Sequence, residues 1–557
     1  YRAPTTMTER LLCDLYAQLT GMNPVSVDDH FFSIGGHSLL AMKLIARVRE
    51  VTGCDLGLRS LFEHPTPAGL AEVIDALEAD RSHALLPGLG RIDEDHVVLS
   101  YGQQRMWTLD QLEPGKASYN MPLAVRMQGV LDTQALDRSL CALVARHEPL
   151  RTVFESNEEG VIGKLLPVPQ QLLRIETLAQ DVDIANLIQA EAGHPFDLTR
   201  DYPIRVRLFE VGVQEQLLLL TMHHHAGDGV SGGVLFKELQ ALYSGYVQGG
   251  TAKLPELKVS YSDWAAWQRS VLDDAVLMPK VARARARLSD LPECLSLPLD
   301  YARDPNRARR AGYVPIQFDS VTVSALDRLA RQYETTRFSV LIALYGILLS
   351  RLSGQKEIAI GSPVAGRNRV ESEGLIGFLV NTLVLPLRLS QTSSLGEVIE
   401  QARDQTQQAL SDQDVPFERL VEELGVSRSL AHTPVFQAML AYQTRDSGAD
   451  FALSGLKIRP ESVWLASTKF DLTLSLQEQG SEQAQELVGA LEYDADLFEE
   501  VHTQSWVEHF KTLVTEATRV GNETANVYWL PLQSADAECA ILKASAGARI
   551  NTSESGQ

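Results

Sequence analysis

The first eighty residues carry apolar positions at helical spacing, in stretches separated by polar loops and turn residues. Leucines recur three or four residues apart near the start, and a second apolar series follows the Gly35-Gly36 turn. A third series begins after Pro67, and proline is favoured in the first turn of a helix. The pattern predicts a small helical domain over residues 1–80.

Beyond residue 97 the pattern changes, and stretches typical of strands alternate with stretches typical of helices. Strands alternate apolar and polar positions or form short apolar runs, whereas helices repeat every three to four residues. Predicted strands lie at 204–211, 216–222, 357–360 and 382–389, and predicted helices at 230–246, 395–410 and twice within 320–352.

This order predicts an α/β multidomain protein, because strands alternating with helices form sheets covered by helices. The stretch is too long for one hydrophobic core, so two α/β lobes are expected. Their predicted ranges are 97–275 and 276–535. A linker is predicted at 81–96, where periodicity is lost, and a flexible tail at 536–557, which is rich in Ala, Ser and Gly.

Composition narrows the function classes. The 557 residues carry a formal net charge of −22, and no Lys/Arg-rich run is present, so a nucleic-acid partner is not expected. Apolar runs fall far short of the roughly 18 residues that span a bilayer, so no membrane partner is expected. The chain starts at Tyr1 without a signal region, and we expect it to be a fragment of a longer protein.

The five cysteines are widely spaced and form no C-x-x-C pair. A disulfide framework or a zinc site is therefore not expected. We expect the cysteines to be ordinary thiols of a cytoplasmic protein.

One candidate for chemistry is the segment Gly35-Gly36-His37-Ser38, which precedes the second apolar helix. Serine is a preferred helix N-cap and glycine supplies the turn, so a purely structural role is one interpretation. The other is a phosphate ester on Ser38, because a helix N-terminus favours an anion. The hydrolase motif G-x-S-x-G does not fit, since Leu40 stands where glycine is required.

A second candidate is the segment from His223 to Gly229, which follows the apolar run at 216–222. Side chains alternate along a strand, so His224 points away from His223 and His225. The three histidines therefore do not converge readily as ligands of one metal ion. A structural interpretation is a set of buried histidines followed by a helix cap at Asp228.

The functional interpretation of the same segment is an acyl-transfer site. A neutral His224 can accept or steer a proton from an attacking amine. Asp228 would fix the local backbone through charge-assisted hydrogen bonds, and Gly229 would let substrate approach the chain closely.

These residues carry a family resemblance. Residues 5–80 resemble a peptidyl carrier protein of a nonribosomal peptide synthetase, through the segments 29–32 (DHFF) and 35–39 (GGHSL). Residues 97–530 resemble a condensation domain. Its motifs occur in order at 100–107 (SYGQQRMW), 146–152 (RHEPLRT), 223–229 (HHHAGDG), 261–268 (YSDWAAWQ), 376–382 (IGFLVNT), 414–418 (DVPFE) and 433–437 (TPVFQ).

The resemblance implies a small four-helix carrier domain, followed by two chloramphenicol-acetyltransferase-like lobes arranged as a V, with a tunnel between them. It implies a catalytic motif of His223, His224, Asp228 and Gly229, in which His224 is the catalytic position and Asp228 is structural. The family's aspartate is held by a distant arginine, and Arg367 is the candidate. The resemblance further implies that Ser38 carries 4′-phosphopantetheine.

Two further positions, Asn381 and Gln437, are expected to line the tunnel or to lie where the chain crosses between the lobes.

The resemblance also implies partners. A carrier that precedes the condensation domain is the donor carrier, and its acyl group passes to an aminoacyl group on a downstream acceptor carrier. Adenylation domains and other modules of the synthetase would supply the substrates, and a phosphopantetheinyl transferase would modify Ser38. Peptide-bond formation by an amide-forming acyltransferase is the expected function.

The motif departs from its commonest form at His225, where an aliphatic residue is usual, and at Val230, where tryptophan is common. Neutral drift is one explanation. The alternative is a specialised condensation domain that also dehydrates a β-hydroxy donor residue, with His225 as the extra acid or base.

Three other classes fit less well. Epimerisation domains need a glutamate that is missing from 361–369, and heterocyclisation domains replace the histidine pair with aspartates. A non-catalytic recruitment platform would be expected to lose the His224–Asp228 pair.

Overall fold

The structure is a computed structural model of the chain. It describes residues 1–36, 38–54, 56–79, 89–90, 97–112, 114–158, 160–178, 182–250, 252–271, 274–304, 309–426, 431–444, 452–481 and 484–533. The predicted tail 536–557 and most of the predicted linker 81–96 lie outside these residues.

The N-terminal domain is helical, as its sequence predicts. Its helices are α1 (Met7–Thr20), α2 (Ser38–Thr52), α3 (Leu58–Glu63) and α4 (Pro67–Ala79). A capping box of Thr6 and Glu9 starts α1, and Gly21, in the left-handed conformation, ends it. The apolar faces of these helices form the core of the domain, in which the side chain of Tyr16 packs against Phe31.

The first lobe follows. Its elements are α5 (Tyr101–Leu112), β1 (Asn120–Gln128), α6 (Thr133–Arg146), β2 (Thr152–Asn157), β3 (Gly160–Leu165), β4 (Leu173–Thr177), α7 (Ile184–Ala192), β5 (Ile204–Gly212), β6 (Glu215–His223), α8 (Gly229–Val247) and α9 (Tyr261–Val271). Helix α10 (Asp274–Leu288) follows and packs against the second lobe. Strand β6 lies in the middle of a sheet, between β1 and β5, and its run of leucines is buried.

The second lobe contains a six-stranded mixed sheet. Its elements are β7 (Ala311–Phe318), α11 (Ser320–Gln332), α12 (Arg337–Ser353), β8 (Glu357–Val364), β9 (Asn381–Arg388), α13 (Leu395–Ser411), α14 (Phe417–Leu424), β10 (Ala438–Gln443), β11 (Lys457–Glu461), β12 (Leu472–Ser481), β13 (Ala484–Asp494) and α15 (Glu500–Ala517). The strand order in this sheet is β7-β13-β12-β10-β8-β9. Helix α12 is apolar on all sides because it runs through the core.

Strand β11 does not join the second sheet. It pairs antiparallel with β1 and completes the first sheet in the order β11-β1-β6-β5-β4. Arg126 of β1 holds it there through an ion pair with Glu461 at 2.6 Å. The chain therefore returns to the first lobe, which the predicted division between residues 275 and 276 does not capture, because strand partners are not encoded locally.

The N-terminal domain packs on the second lobe. Helix α3 lies beside α13, and α2 lies beside the short turn Val370–Ser372. Three polar contacts accompany this packing. Arg47 pairs with Glu373 at 3.4 Å, Glu50 lies 3.7 Å from Lys258, and Arg49 donates to the carbonyl of Asn368 at 3.4 Å.

Within the described residues no single helix is long and apolar enough to cross a membrane, although the bent pair α11 and α12 passes by length and composition. The described cysteines, Cys13, Cys54, Cys141 and Cys294, are free thiols. No group of His, Cys, Asp and Glu that could hold a metal ion occurs in the same part of the chain.

Candidate functional site

The candidate site lies where β6 ends and α8 begins. The backbone N–H of His224 donates to the carbonyl of Tyr119, 2.9 Å away, so the adjacent strand end fixes the turn. Residues His224–Ala226 form one turn of 3-10 helix, and Asp228 then caps α8. The junction therefore turns His224 away from the sheet while Asp228 stays buried.

The Asp228 carboxylate joins the two lobes. In the first lobe, Oδ1 accepts from the N–H and the hydroxyl of Ser231, at 2.9 and 2.8 Å. From the second lobe, Oδ2 accepts from the Arg367 guanidinium at 2.9 Å and from the N–H groups of Leu379 and Val380 at 3.0 and 3.1 Å. Five donors thus converge on a carboxylate whose residue is only 1% exposed.

Arg367 is the arginine that the resemblance named as the partner of this aspartate. Its guanidinium also donates to the Ser231 hydroxyl at 3.0 Å and to the Leu375 carbonyl at 3.1 Å. The preceding residue, Gly366, has a φ of +65°, and a Cβ there would lie 1.8 Å from the Leu379 carbonyl oxygen. Glycine is therefore required where this loop brings Arg367 onto Asp228.

Burial alone would raise the pKa of Asp228, but the Arg367 charge and the hydrogen bonds from Ser231 hold it below its ordinary value. The carboxylate is therefore ionised, and its oxygens are occupied by hydrogen bonds. Its role is to hold the start of α8 against the loops of Arg367 and Leu379, and not to exchange protons with substrate.

His224 differs from its neighbours because its side chain is half-buried rather than enclosed. Its ring meets the Phe378 ring edge-on, with centroids 4.9 Å apart. Its Nδ1 is buried without a hydrogen-bond partner among the described residues. Burial and the nearby Lys469 charge lower the pKa of His224 to about 3, against the opposing effect of Asp228. The imidazole is therefore neutral.

His223 and His225 point to the opposite side and are buried together. Their Nδ1 atoms are 2.8 Å apart, and His225 Nε2 lies 3.0 Å from the Thr152 carbonyl oxygen. Both ring nitrogens of His225 are thus engaged, and its ring packs on Phe154. The geometry does not support His225 as an additional acid or base, because the turn directs its ring into the first lobe.

The remaining predicted residues divide into two groups. Gly229 is exposed, and a Cβ there would meet only Gln443, at 3.9 Å, so the backbone is open to an approaching molecule. Asn381 lines a cavity next to Phe378, and its amide donates to the carbonyls of Gln413 and Val415.

Gln437 is different from these residues, because it is buried inside the second lobe. Its amide donates to the carbonyls of Glu293 and Thr433 and accepts from the N–H of Leu295. These bonds use the side chain to fix loops, so the expectation that Gln437 lines the tunnel is not supported.

Ser38 is the first residue of α2, a helix of 15 residues. A cavity of about 130 Å³ lies between this helix and the second lobe, and Met42, Ile45 and Arg49 line it on the α2 side. It shares Trp267, Asn368, Gln413 and Asp414 with the cavity that Phe378 lines. The two cavities therefore adjoin one another between α2 and Phe378, whose ring contacts His224. The first turn of α2 offers N–H groups suited to a phosphate.

The sequence did not identify Ser231, Tyr119 or Lys469 as parts of this site, and it gave Phe378 only as a member of the motif at 376–382. A signal existed for Ser231, because a residue three positions after an aspartate N-cap donates to it. Phe378 and Lys469 lie more than 150 positions from His224, and no local pattern connects them.

Two family patterns match the chain. The family described as "Condensation domain" matches residues 93–539, and the one described as "Phosphopantetheine attachment site" matches residues 10–74.

Similar proteins agree with these matches. A linear gramicidin synthase protein from Brevibacillus parabrevis is 37% identical over 96% of this chain, which spans 10% of that protein. A dimodular nonribosomal peptide synthase of Bacillus subtilis (strain 168) is 36% identical over 93% of this chain and 22% of its own length. The X-domain from teicoplanin biosynthesis superposes with a TM-score of 0.75 and 26% identity, covering 80% of this chain and all of that one.

The junction between Asp228 and Arg367 leads to a first prediction. Arg367→Met leaves the buried carboxylate without its counter-charge, and we expect a loss of about 3–5 kcal/mol in the free energy of unfolding. Urea denaturation measures it. Arg519→Met, which removes an exposed pair with Glu516, serves as the control and should cost less than about 1 kcal/mol. Equal, small losses in both variants would contradict the assignment.

A second prediction concerns acid stability. Burial lowers the pKa of His225 from 6.5 to about 4, so below pH 6.5 the unfolded chain binds more protons than the folded one. The contribution of the neutral His225 to the free energy of unfolding is therefore fully present above pH 6.5, and it is lost as the pH falls toward 4.

We expect His225→Leu to reduce the loss of stability between pH 7 and pH 5 by about 2 kcal/mol, although it lowers the stability at pH 7. Urea midpoints at the two pH values measure this. An unchanged pH dependence in the variant would show that His225 is not buried in its neutral form.

Proposed function

The chain belongs to the condensation-domain family of nonribosomal peptide synthetases, with a phosphopantetheine-attachment domain in front, and we propose that its carrier presents the donor to its own condensation domain. A condensation domain is an amide-bond-forming acyltransferase. The chain spans only 10% and 22% of the lengths of the two synthetase relatives. The donor, the acceptor and the partner modules are therefore proposals.

One observation carries the proposal, namely that the cavities described above follow one another from helix α2 to Phe378, whose ring touches His224. A donor tethered to the chain's own carrier would then enter from the side of α2. Attached to Ser38, 4′-phosphopantetheine would supply a thiol that carries the donor acyl group as a thioester. Trp267, Asn368 and Gln413 line both cavities and would hold the arm.

We propose that His224 orients the acceptor amine. The amine of an aminoacyl group on a separate acceptor carrier attacks the donor carbonyl, a C–N bond forms and the C–S bond breaks. The proton lost by the amine ends on the departing pantetheine thiolate, which leaves as the free thiol. A neutral imidazole of low pKa accepts a hydrogen bond from the amine without retaining its proton at neutral pH. Its contribution is therefore orientation more than proton storage.

Positioning of two tethered reactants would supply most of the rate. Well-oriented intramolecular reactions gain on the order of 7–11 kcal/mol, whereas general-base catalysis adds about 10²–10⁴-fold. Asp228 supports this role indirectly, because its bonds to Arg367, Leu379 and Val380 set the position of Phe378 and the tunnel wall. His223 would act as a structural partner of His225.

The alternatives receive less support. Dehydration of a β-hydroxy donor has lost its candidate base, since the His225 ring is enclosed. A non-catalytic recruitment platform would not need a neutral, accessible histidine next to a buried carboxylate. This chain has both His224 and the Asp228 carboxylate, which accepts from five donors. Epimerisation would require the glutamate that is missing from 361–369.

The proposal predicts that His224→Ala folds normally and transfers about 10²–10⁴-fold more slowly. Ser38 is loaded with aminoacyl-pantetheine by a phosphopantetheinyl transferase, and a separate carrier is loaded as acceptor. Intact-protein mass spectrometry then follows the gain of donor mass on the acceptor.

Two comparisons make this experiment decisive. Ser38→Ala should accept no donor and form no product, and His225→Leu should keep turnover within a few-fold of the parent chain. A mass gain on the acceptor that is smaller than the donor mass by one water, seen only with β-hydroxy donors, would establish the dehydrating alternative. Rapid transfer by His224→Ala would refute the role of the imidazole.

A further prediction concerns how the carrier docks. The Arg47–Glu373 pair joins the two domains and is partly exposed, so it is worth less than about 1 kcal/mol and is screened by salt. Arg47→Glu should slow transfer from Ser38 several-fold at low salt, and adding Glu373→Arg should restore it.

Lys511→Glu, on α15, is the charge-reversal control and should leave transfer unchanged. Equal transfer by Arg47→Glu and the parent chain at low salt would show that the carrier does not dock through this pair.

A further inference from the structure

Strands β10 and β12 carry polar side chains on one face of the second sheet. Leu440 and Leu474 point to the other face and are buried in the core of the lobe. Side chains alternate along a strand, so Gln443, Ser475 and Gln477 point away from that core. Gln443 and Ser475 are exposed, and Gln477 is half-buried. We call these three residues the polar strip.

The polar strip is compact, because its two strands are parallel neighbours. Gln443 stands opposite Gln477, and Ala441 stands opposite Ser475. On the other side of Ser475 lies Ala490 of β13. Both alanines carry only a methyl group, so neither covers the Ser475 hydroxyl.

The polar strip faces the first lobe at the start of α8. The nearest atom to a Cβ built on Gly229 is the amide nitrogen of Gln443, 3.9 Å away. Just before β12, the Lys469 ammonium lies 4.5 Å from the centroid of the Tyr119 ring. The Tyr119 carbonyl accepts the backbone N–H of His224. These contacts on both sides of the strip place it opposite the turn that runs from His224 to Gly229.

The side chains of the polar strip have unused hydrogen-bonding groups. In the part of the chain that the structure describes, none of the three forms a side-chain hydrogen bond. Polar groups that point to the other face are engaged, since the Tyr442 hydroxyl donates to Glu478 and Arg337 donates to both. Amide and hydroxyl groups each donate and accept, so the strip can bind a molecule that does the same.

Spacing and chemistry favour an extended peptide as that molecule. Ser475 and Gln477 are two positions apart on one strand, about 6.6 Å, which is the repeat of a peptide in the same conformation. Each peptide bond offers one N–H and one carbonyl. A peptidyl donor has a peptide bond for every residue beyond the one that reacts, whereas an aminoacyl acceptor has none within its acyl group. The donor therefore fits the strip better than the acceptor does.

We propose that the polar strip binds the peptide bonds of an extended peptidyl donor whose thioester reacts at His224, and that the chain therefore favours peptidyl over single aminoacyl donors. The proposal rests on the proposed function and describes its donor more closely. Gly229 has no side chain, so the passage between α8 and Gln443 stays open to the donor backbone.

Single-turnover transfer from Ser38 to one loaded acceptor carrier tests the proposal. The donors are an alanyl and a trialanyl group, each loaded as a pantetheine thioester. In the parent chain the trialanyl group should transfer at least about 5-fold faster, because each hydrogen bond contributes about 2–10-fold. Gln443→Leu should remove most of this advantage and leave alanyl transfer unchanged.

Ser475→Ala is a second variant, which removes one exposed hydroxyl and should reduce trialanyl transfer about 2–10-fold. Gln504→Leu and Ser505→Ala are the matched controls, because both residues are exposed on α15. Neither control should change the rate with either donor.

A modified donor identifies the group that the strip binds. In a trialanyl ester analogue, an ester oxygen replaces the peptide N–H nearest the thioester residue, so one hydrogen-bond donor is lost. The parent chain should transfer this analogue more slowly than the trialanyl group. Gln443→Leu should transfer the two at the same rate, because the acceptor of that N–H is gone.

A second readout needs no turnover. Ser38 is loaded with a trialanyl group joined to the arm by an amide in place of the thioester, and the chain is labelled with ¹⁵N-glutamine. The side-chain amide signal of Gln443, assigned from Gln443→Leu, should shift on loading with the trialanyl group and not with the alanyl group.

An unshifted Gln443 signal, or equal slowing of both donors in Gln443→Leu, would overturn the proposal. Rates that follow the side chain of the acceptor instead of the length of the donor would overturn it as well. Failure of the parent chain to form any amide would overturn the proposed function instead, while the Gln443 signal still tests the polar strip.

Discussion

The site depends on one buried carboxylate that both lobes must share. Asp228 is taken out of water at the start of α8, and its ionised form persists because five donors from two lobes surround it. Removing its charged partner would leave the other donors facing a buried, uncompensated group. These bonds therefore fix the loop of Arg367 against the end of β6. They thereby also fix the positions of Phe378 and His224.

This constraint explains the division of roles among the three consecutive histidines. The turn after β6 sends His223 and His225 into the first lobe, where their Nδ1 atoms meet, and it leaves His224 facing the space between the lobes. Burial and a nearby cation keep that imidazole neutral. Such a group suits the alignment of an amine, and the chemistry then relies on delivering two tethered reactants to one place.

The sequence was sufficient for features that depend on local patterns. Helices α1, α2 and α4, the buried strand β6 and helices α8, α12 and α13 follow from periodicity, and the resemblance named Arg367 as the partner of Asp228. Long-range features were not accessible. The return of β11 to β1, the contact of Phe378 with His224 and the approach of Lys469 depend on tertiary packing. The sequence left His225 open between neutral drift and acid–base chemistry, because residue type does not give the direction of a side chain on the turn.

The central claim is that Asp228 and Arg367 act as one unit that sets the geometry of His224. A double-mutant cycle with Asp228→Asn, Arg367→Met and their combination tests it, with transfer rate and urea stability measured on the same samples. The account predicts strong non-additivity, with a coupling free energy of about 1–3 kcal/mol in both quantities. Additive effects, with coupling near zero, would contradict it.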